Sequence, residues 1–129
     1  MSNLQEMAKN AMNFSYSPYS EKKIGAAIRL SNGKSYAGCN VENASYGGTV
    51  CAERVAIWKA VSENKNKKIT EVVVASDSEK PWPPCGFCRQ VLAEFASEET
   101  SVLLINLSGK SQSYRFKDLF PEAFGPASF

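Results

Sequence analysis

Two apolar runs constrain the fold more than anything else in the chain: residues 69–75, ITEVVVA, and residues 102–107, VLLINL. A strand with one wet face alternates apolar and polar residues, whereas a nearly continuous apolar run belongs to a strand covered on both sides. Helical patterns are interleaved with these runs. Leu4, Met7, Ala8, Ala11 and Met12 follow a 3.6-residue period across residues 3–14, and Ser2 with Gln5 forms a capping-box pattern at the start. Residues 51–63 read as a second helix with Cys51, Val55 and Trp58 on one face, and Cys88, Val91, Leu92 and Phe95 give a third helix its buried face. Residues 24–30 and 35–41 flank Ser31-Asn32-Gly33-Lys34, a hairpin signal because Asn-Gly tolerates positive φ. Residues 112–116 read as an outer strand. Strands alternating with helices predict an α/β sheet covered on both faces. With 129 residues and no repeat, linker or low-complexity tract, a single domain over residues 1–129 is expected.

Charge and composition exclude several functions. A net charge of +2 gives no case for a nucleic-acid groove or an anionic membrane surface. The run Lys65-Asn66-Lys67-Lys68 reads as a solvated helix end or loop. The start has no signal-peptide pattern, and no stretch approaches the ~20 apolar residues of a membrane span, so a cytoplasmic location is expected. In that reducing setting the cysteines read as ligands or buried thiols rather than disulfides. The chain contains no histidine. That removes Ser-His-Asp and Cys-His catalysis and every imidazole metal site, leaving a carboxylate, a lysine, a tyrosine or a metal-bound water to move protons.

The chemistry concentrates in two clusters, Cys51-Ala52-Glu53 and Pro84-Cys85-Gly86-Phe87-Cys88. A CxxC pair with a distant third sulfur suits a zinc site with one position open. Both clusters lie where helices begin, with Thr49 as the expected N-cap of the first and Pro84 preceding the second. Helix N-termini favour thiolates. Arg54 or Arg89 would offset the surplus negative charge by donating to sulfur. Glu53 is either a carboxylate stabilised by the helix dipole or the group that moves the proton of a zinc-bound water. Cys39 would close the site as a fourth ligand or leave it open as a buried thiol. Asn40 and Glu42 either grip vicinal hydroxyls or satisfy the loop of residues 40–49. Tyr16 and Tyr19, in an ordered loop over residues 16–20 where Pro18 prevents the first helix from continuing, serve packing or a pocket wall.

The ordered set YSPYS, IGAAI, GCNVENASYG, CAERVAIWKAV, PCGFCRQVLAEF and LFPEAFGP covers most of the chain and resembles the small, homotetrameric cytidine deaminases. The resemblance implies a three-layer α-β-α sandwich around a mixed five-stranded sheet. It also implies hydrolytic deamination of cytidine and 2′-deoxycytidine in pyrimidine salvage, with one Zn2+ per subunit on Cys51, Cys85 and Cys88. Glu53 would shuttle protons. Asn40 and Glu42 would hold the ribose 3′-hydroxyl, and the carbonyl of Pro83 would accept from the exocyclic amine, with Ala52 beside the substrate. Ala44, Ser45 and Tyr46 would approach a neighbouring subunit's site, and Phe124 would cover a base across an interface. Arg54, Arg89 and Gln90 would support the ligands. One departure is Lys22, standing where relatives commonly carry a base-stacking phenylalanine; another is Gly47-Gly48, where some relatives have bulkier residues. Two other readings remain open at this point: a deaminase of cytosine-nucleoside antibiotics, and a structural zinc module closed by Cys39.

Overall fold

The computed structural model describes residues 2–129, with side chains from residue 3 onward. The expected Ser2–Gln5 capping box lies outside the described side chains. The elements run α1 (Ser2–Met12), β1 (Ile24–Leu30), β2 (Ser35–Cys39), α2 (Ala52–Glu63), β3 (Ile69–Ser76), α3 (Gly86–Phe95), β4 (Ala96–Asn106), β5 (Ser111–Arg115) and a short α4 (Phe116–Leu119). The five strands form one mixed sheet in the order β2-β1-β3-β4-β5. Only β3 and β4 are parallel, joined by the crossover through α3; the other neighbours are antiparallel.

The pleat explains why the two apolar runs have no polar face. Val72 and Val74 of β3 join Val102 and Leu104 of β4 under Ala56, Ile57, Ala60 and Leu92, the inward residues of α2 and α3. Val73, Ala75 and Ile105 point the other way, against Leu4, Ala8 and Met12 of α1. Successive strand residues therefore serve opposite layers. The result is the three-layer α-β-α arrangement, with α1 alone on one face.

The β1–β2 hairpin forms in the expected place, but of Asn32-Gly33 only Gly33 adopts positive φ, at 87°. Several boundaries differ from expectation. The face of α2 is Ala52, Ala56, Ile57 and Ala60, while Trp58 is half exposed. Four alanine and isoleucine positions let that helix lie close to β2, and this small-residue stripe outweighs the larger tryptophan. β2 stops at Cys39, before Val41. β4 begins at Ala96 rather than 102, because residues between Ala96 and Ser101 form an irregularity opposite Ile69–Glu71. The Thr100 hydroxyl closes it by donating to the Ile69 carbonyl at 2.8 Å. Phe116 leaves β5 to become a buried residue of α4.

Candidate active site

Both cysteine clusters sit at helix starts, as the sequence implies, but the caps differ. Cys51 itself is the N-cap of α2 and Cys85 that of α3, each in extended conformation and with its sulfur making no capping hydrogen bond to the backbone of its own helix. Thr49 is not the cap. Its hydroxyl accepts from the Asn43 backbone N–H at 3.1 Å, inside the preceding loop. The cap sulfurs are thus free to turn toward each other, and Cys88 approaches from the first turn of α3. The three Sγ atoms lie within 4.8 Å of one another, with Cys51 and Cys85 3.7 Å apart.

That spacing can be compared with what an ion requires. Tetrahedral zinc with Zn–S bonds of about 2.3 Å separates its sulfurs by about 3.8 Å. The three thiols therefore fit a zinc ion with little rearrangement. Cys39 is not among them. It is half-buried on a separate cavity with Met7, Phe14 and Lys59, so it does not supply a fourth ligand.

Electrostatics support the same reading. The hydrogen bond with Cys88 holds the Cys51 thiol down to about 5, and the Arg54 guanidinium, 3.5 Å away through Nη2, adds to this. Cys88 is pushed well up as the donor in that pair and by its burial. Arg54 is buried, its guanidinium 4.0 Å from the centre of the Phe87 ring and 5.9 Å from that of Trp58. Its Nε has no hydrogen-bond partner. Arg89 behaves differently. It donates to the carbonyls of Pro84 at 2.8 Å and Leu119 at 2.6 Å, fixing the start of α3 against α4 rather than reaching sulfur. Gln90 likewise donates to the Phe124 carbonyl, at 2.8 Å, and not to a cysteine.

Glu53, only 4% exposed, lies in the first turn of α2. Burial first, and then the neighbouring Cys51 thiolate, push its carboxyl up to about 7 against the opposing pull of a backbone hydrogen bond and of Arg54. Glu53 opens on a cavity of about 240 Å³ shared with Cys51, Cys85, Ala52, Pro83, Asn40 and Glu42. The cavity therefore brings a buried carboxyl together with two of the three sulfurs, Cys51 and Cys85, while Cys88 lies buried behind them.

The opposite wall is built by backbone pairing. Val41 exchanges hydrogen bonds with Val50 at 2.9 and 3.0 Å, while Tyr16 N–H donates to the Asn40 carbonyl at 3.0 Å. Asn40 is buried: its Oδ1 accepts from Ser15 and from the Ile24 N–H, and its Nδ2 donates to the Lys22 carbonyl at 2.8 Å. Glu42 accepts from the Ser20 hydroxyl and from the N–H groups of Tyr19 and Ser20. Those bonds, the hydroxyl's first, hold its carboxyl below the usual range. Both residues satisfy the loop and still line the cavity.

Ala44, Ser45 and Tyr46 are exposed and lie off this cavity. Tyr46 packs edge-on to Tyr19 at 5.8 Å beside a shallow depression that also reaches Glu42. Neither Tyr16 nor Tyr19 joins the core. Phe124, 61% exposed, lies outside the cavity as well. Sequence reasoning passed over Ser20 as the clamp on Glu42, Phe87 as the cover of Arg54, and Trp82 as a cavity wall. For Trp82 a signal exists: an indole between prolines two residues before a metal-type cysteine cluster has little reason to be there for core packing.

Comparison with known proteins agrees with this geometry. The family described as the cytidine and deoxycytidylate deaminase zinc-binding region matches residues 1–104. A cytidine deaminase of Halalkalibacterium halodurans is 46% identical over 109 residues, covering 84% of this chain and 82% of the relative. One from Sporosarcina psychrophila is 43% identical, over 91% of this chain and 85% of the relative. The crystal structure of cytidine deaminase from Burkholderia pseudomallei superposes with a TM-score of 0.89 at 40% identity, covering 95% of this chain and 98% of that one.

Proposed function

Because the chain belongs to the cytidine and deoxycytidylate deaminases of the zinc-binding type, we propose that it hydrolyses cytidine and 2′-deoxycytidine to uridine and 2′-deoxyuridine, releasing ammonia in pyrimidine salvage. The observation that carries this is a set of three sulfurs spaced for a tetrahedral ion, two of them, Cys51 and Cys85, on the wall of a cavity that also holds the buried Glu53 carboxylate. Zinc, when bound to Cys51, Cys85 and Cys88, supplies the Lewis acidity that lowers the pKa of a water toward neutrality.

Glu53 does the proton work. Its carboxylate takes a proton from the attacking water, hands it to ring N3, and later carries the second water proton to the departing amine. A carboxyl whose burial favours its protonated form is suited to holding a proton between the two transfers. Arg54 offsets the negative charge of three thiolates by its bond to Cys51. Asn40 and Glu42 hold the ribose 3′-hydroxyl, and the Pro83 carbonyl accepts from the exocyclic amine. Their common position on the cavity, which Ala52 also lines, supports these roles. Arg89 and Gln90 act at one remove, by anchoring the segment from Leu119 to Phe124.

Residues 1–129 constitute one catalytic domain, which assembles as a homotetramer. Ala44, Ser45, Tyr46 and Phe124 then serve the site of a neighbouring subunit, a role favoured by their exposure away from their own cavity. The enzyme works in the cytoplasm on free nucleosides, without a nucleic-acid or membrane partner. No helix among the described residues is long and apolar enough to cross a membrane.

The test is the ultraviolet change on mixing protein with cytidine, with and without a zinc chelator, for the parent and for Glu53→Gln. The expected result is chelator-sensitive deamination by the parent and zinc retention without turnover by the variant. Turnover by the variant at the parent's rate would refute the role of Glu53.

A further inference from the structure

The cavity beside Glu53 has a single aromatic side chain in its wall, Trp82. Its other surfaces are aliphatic, small or polar, and none of them offers a π face to a flat heterocycle. The Ser20-Glu21-Lys22-Lys23 segment on the facing side carries no aromatic residue either. An indole at this position is unexpected on packing grounds, since 42% of it is exposed. Its backbone is nevertheless firmly set: Trp82 stands between Pro81 and Pro83, and both Pro81 and Pro84 are buried. Proline fixes φ, so the indole is presented from a stiff connector at small entropic cost.

The ring face is not sealed by apolar packing. Lys22 places its ammonium 6.0 Å from the Trp82 centroid, at the outer limit of a cation–π contact. Lys22 is exposed and lines the same cavity, so its flexible stem can withdraw toward water when another group takes the ring face.

We propose that Trp82 is the surface on which the substrate's pyrimidine ring stacks, making it a specificity-determining residue for cytosine nucleosides, with Lys22 occupying that face only until the base arrives. The inference rests on the deaminase reading, and it adds a base-recognition element that the metal cluster and the ribose-side residues do not provide. Aromatic stacking on a base is sequence-tolerant but sensitive to loss of the ring.

The chain has two tryptophans, so a Trp58→Phe protein leaves Trp82 as the sole indole emitter. Titrating that protein with uridine, the product, should change its emission saturably. In the otherwise native chain, Trp82→Ala should raise the KM for cytidine and the Kd for uridine by roughly ten- to a hundredfold, as loss of one base–aromatic stack does. Trp82→Phe should recover most of that loss, which a merely structural role would not require. Emission unresponsive to saturating uridine, unchanged constants in Trp82→Ala, or a Trp82→Phe variant no better than Trp82→Ala would each overturn the proposal. Absence of cytidine turnover in the parent would instead sink the underlying reading, whereas normal turnover with an indifferent indole sinks only the stacking role.

Discussion

Gly38 couples the sheet to the catalytic helix, and adding one methyl group there should disturb both. The residue lies in β2, opposite Ala26, with α2 directly over it. A Cβ at this position falls 2.7 Å from the Ala56 nitrogen and 2.8 Å from both the Ala52 carbonyl oxygen and the Val55 Cβ. Two of these neighbours are helix backbone, which cannot rotate away as a side chain can. Ordinary contact begins near 3.4 Å, so α2 must retreat by about 0.7 Å. Overpacking of this kind costs about 1–3 kcal/mol, which for a chain of this length lowers the melting temperature by roughly 4–12 °C. The larger effect is on chemistry, because Ala52 directly precedes Glu53 and follows Cys51. Displacement of reacting groups approaching 1 Å costs roughly a hundredfold in rate. Thermal unfolding of the zinc-loaded Gly38→Ala protein, together with kcat/KM for cytidine, measures the two effects on one sample. A variant with unchanged melting temperature and unchanged kcat/KM would refute the claim that β2 sets the height of α2.

Two further outcomes follow from the site's electrostatics. In chelator-treated protein, Glu53 holds its proton up to about 7, whereas the unfolded chain releases it near 4.5. The folded state therefore loses stability as pH rises through that window, and Glu53→Gln, which cannot ionise, escapes the loss. The variant should match the parent near pH 4.5 and exceed it by about 3 kcal/mol above pH 7 in urea unfolding; a constant difference across that range would contradict the assignment. Arg54→Ala removes the guanidinium that donates to Cys51 and should weaken zinc binding by roughly 10- to 100-fold in a competition titration with a chelator, and undiminished affinity would show that the charge of Arg54 is dispensable.

The parts of the fold legible in the sequence are those where one local rule acts alone. Val72 through Ala75 and Val102 through Ile105 had to be strands covered on both sides, and they are. Cys51 and the Cys85–Cys88 pair were visible as a three-sulfur set because residue type and spacing carry the chemistry directly. Errors arose where tertiary contact overrode a local preference. Trp58 reads as a core residue, yet α2 turns its alanines inward because Gly38 permits close approach. Thr49 reads as a cap, yet the Val41–Val50 pairing pulls it into the loop and leaves the cap to Cys51. Arg54, three residues after Cys51, and Arg89, directly after Cys88, are both near enough along the chain to donate to sulfur. The difference lies in Leu119, thirty residues beyond Arg89, whose carbonyl draws that guanidinium away from sulfur.

The two helices that begin at Cys51 and Cys85 rest on the same sheet but meet each other over a small area. Their mutual separation is accordingly governed by few direct contacts, and the sulfurs gather where the two helices begin. An ion held by Cys51, Cys85 and Cys88 would tie the start of one helix to the start of the other. Cys51 and Cys85 also line the cavity, so its mouth would be braced by whatever holds those two sulfurs together.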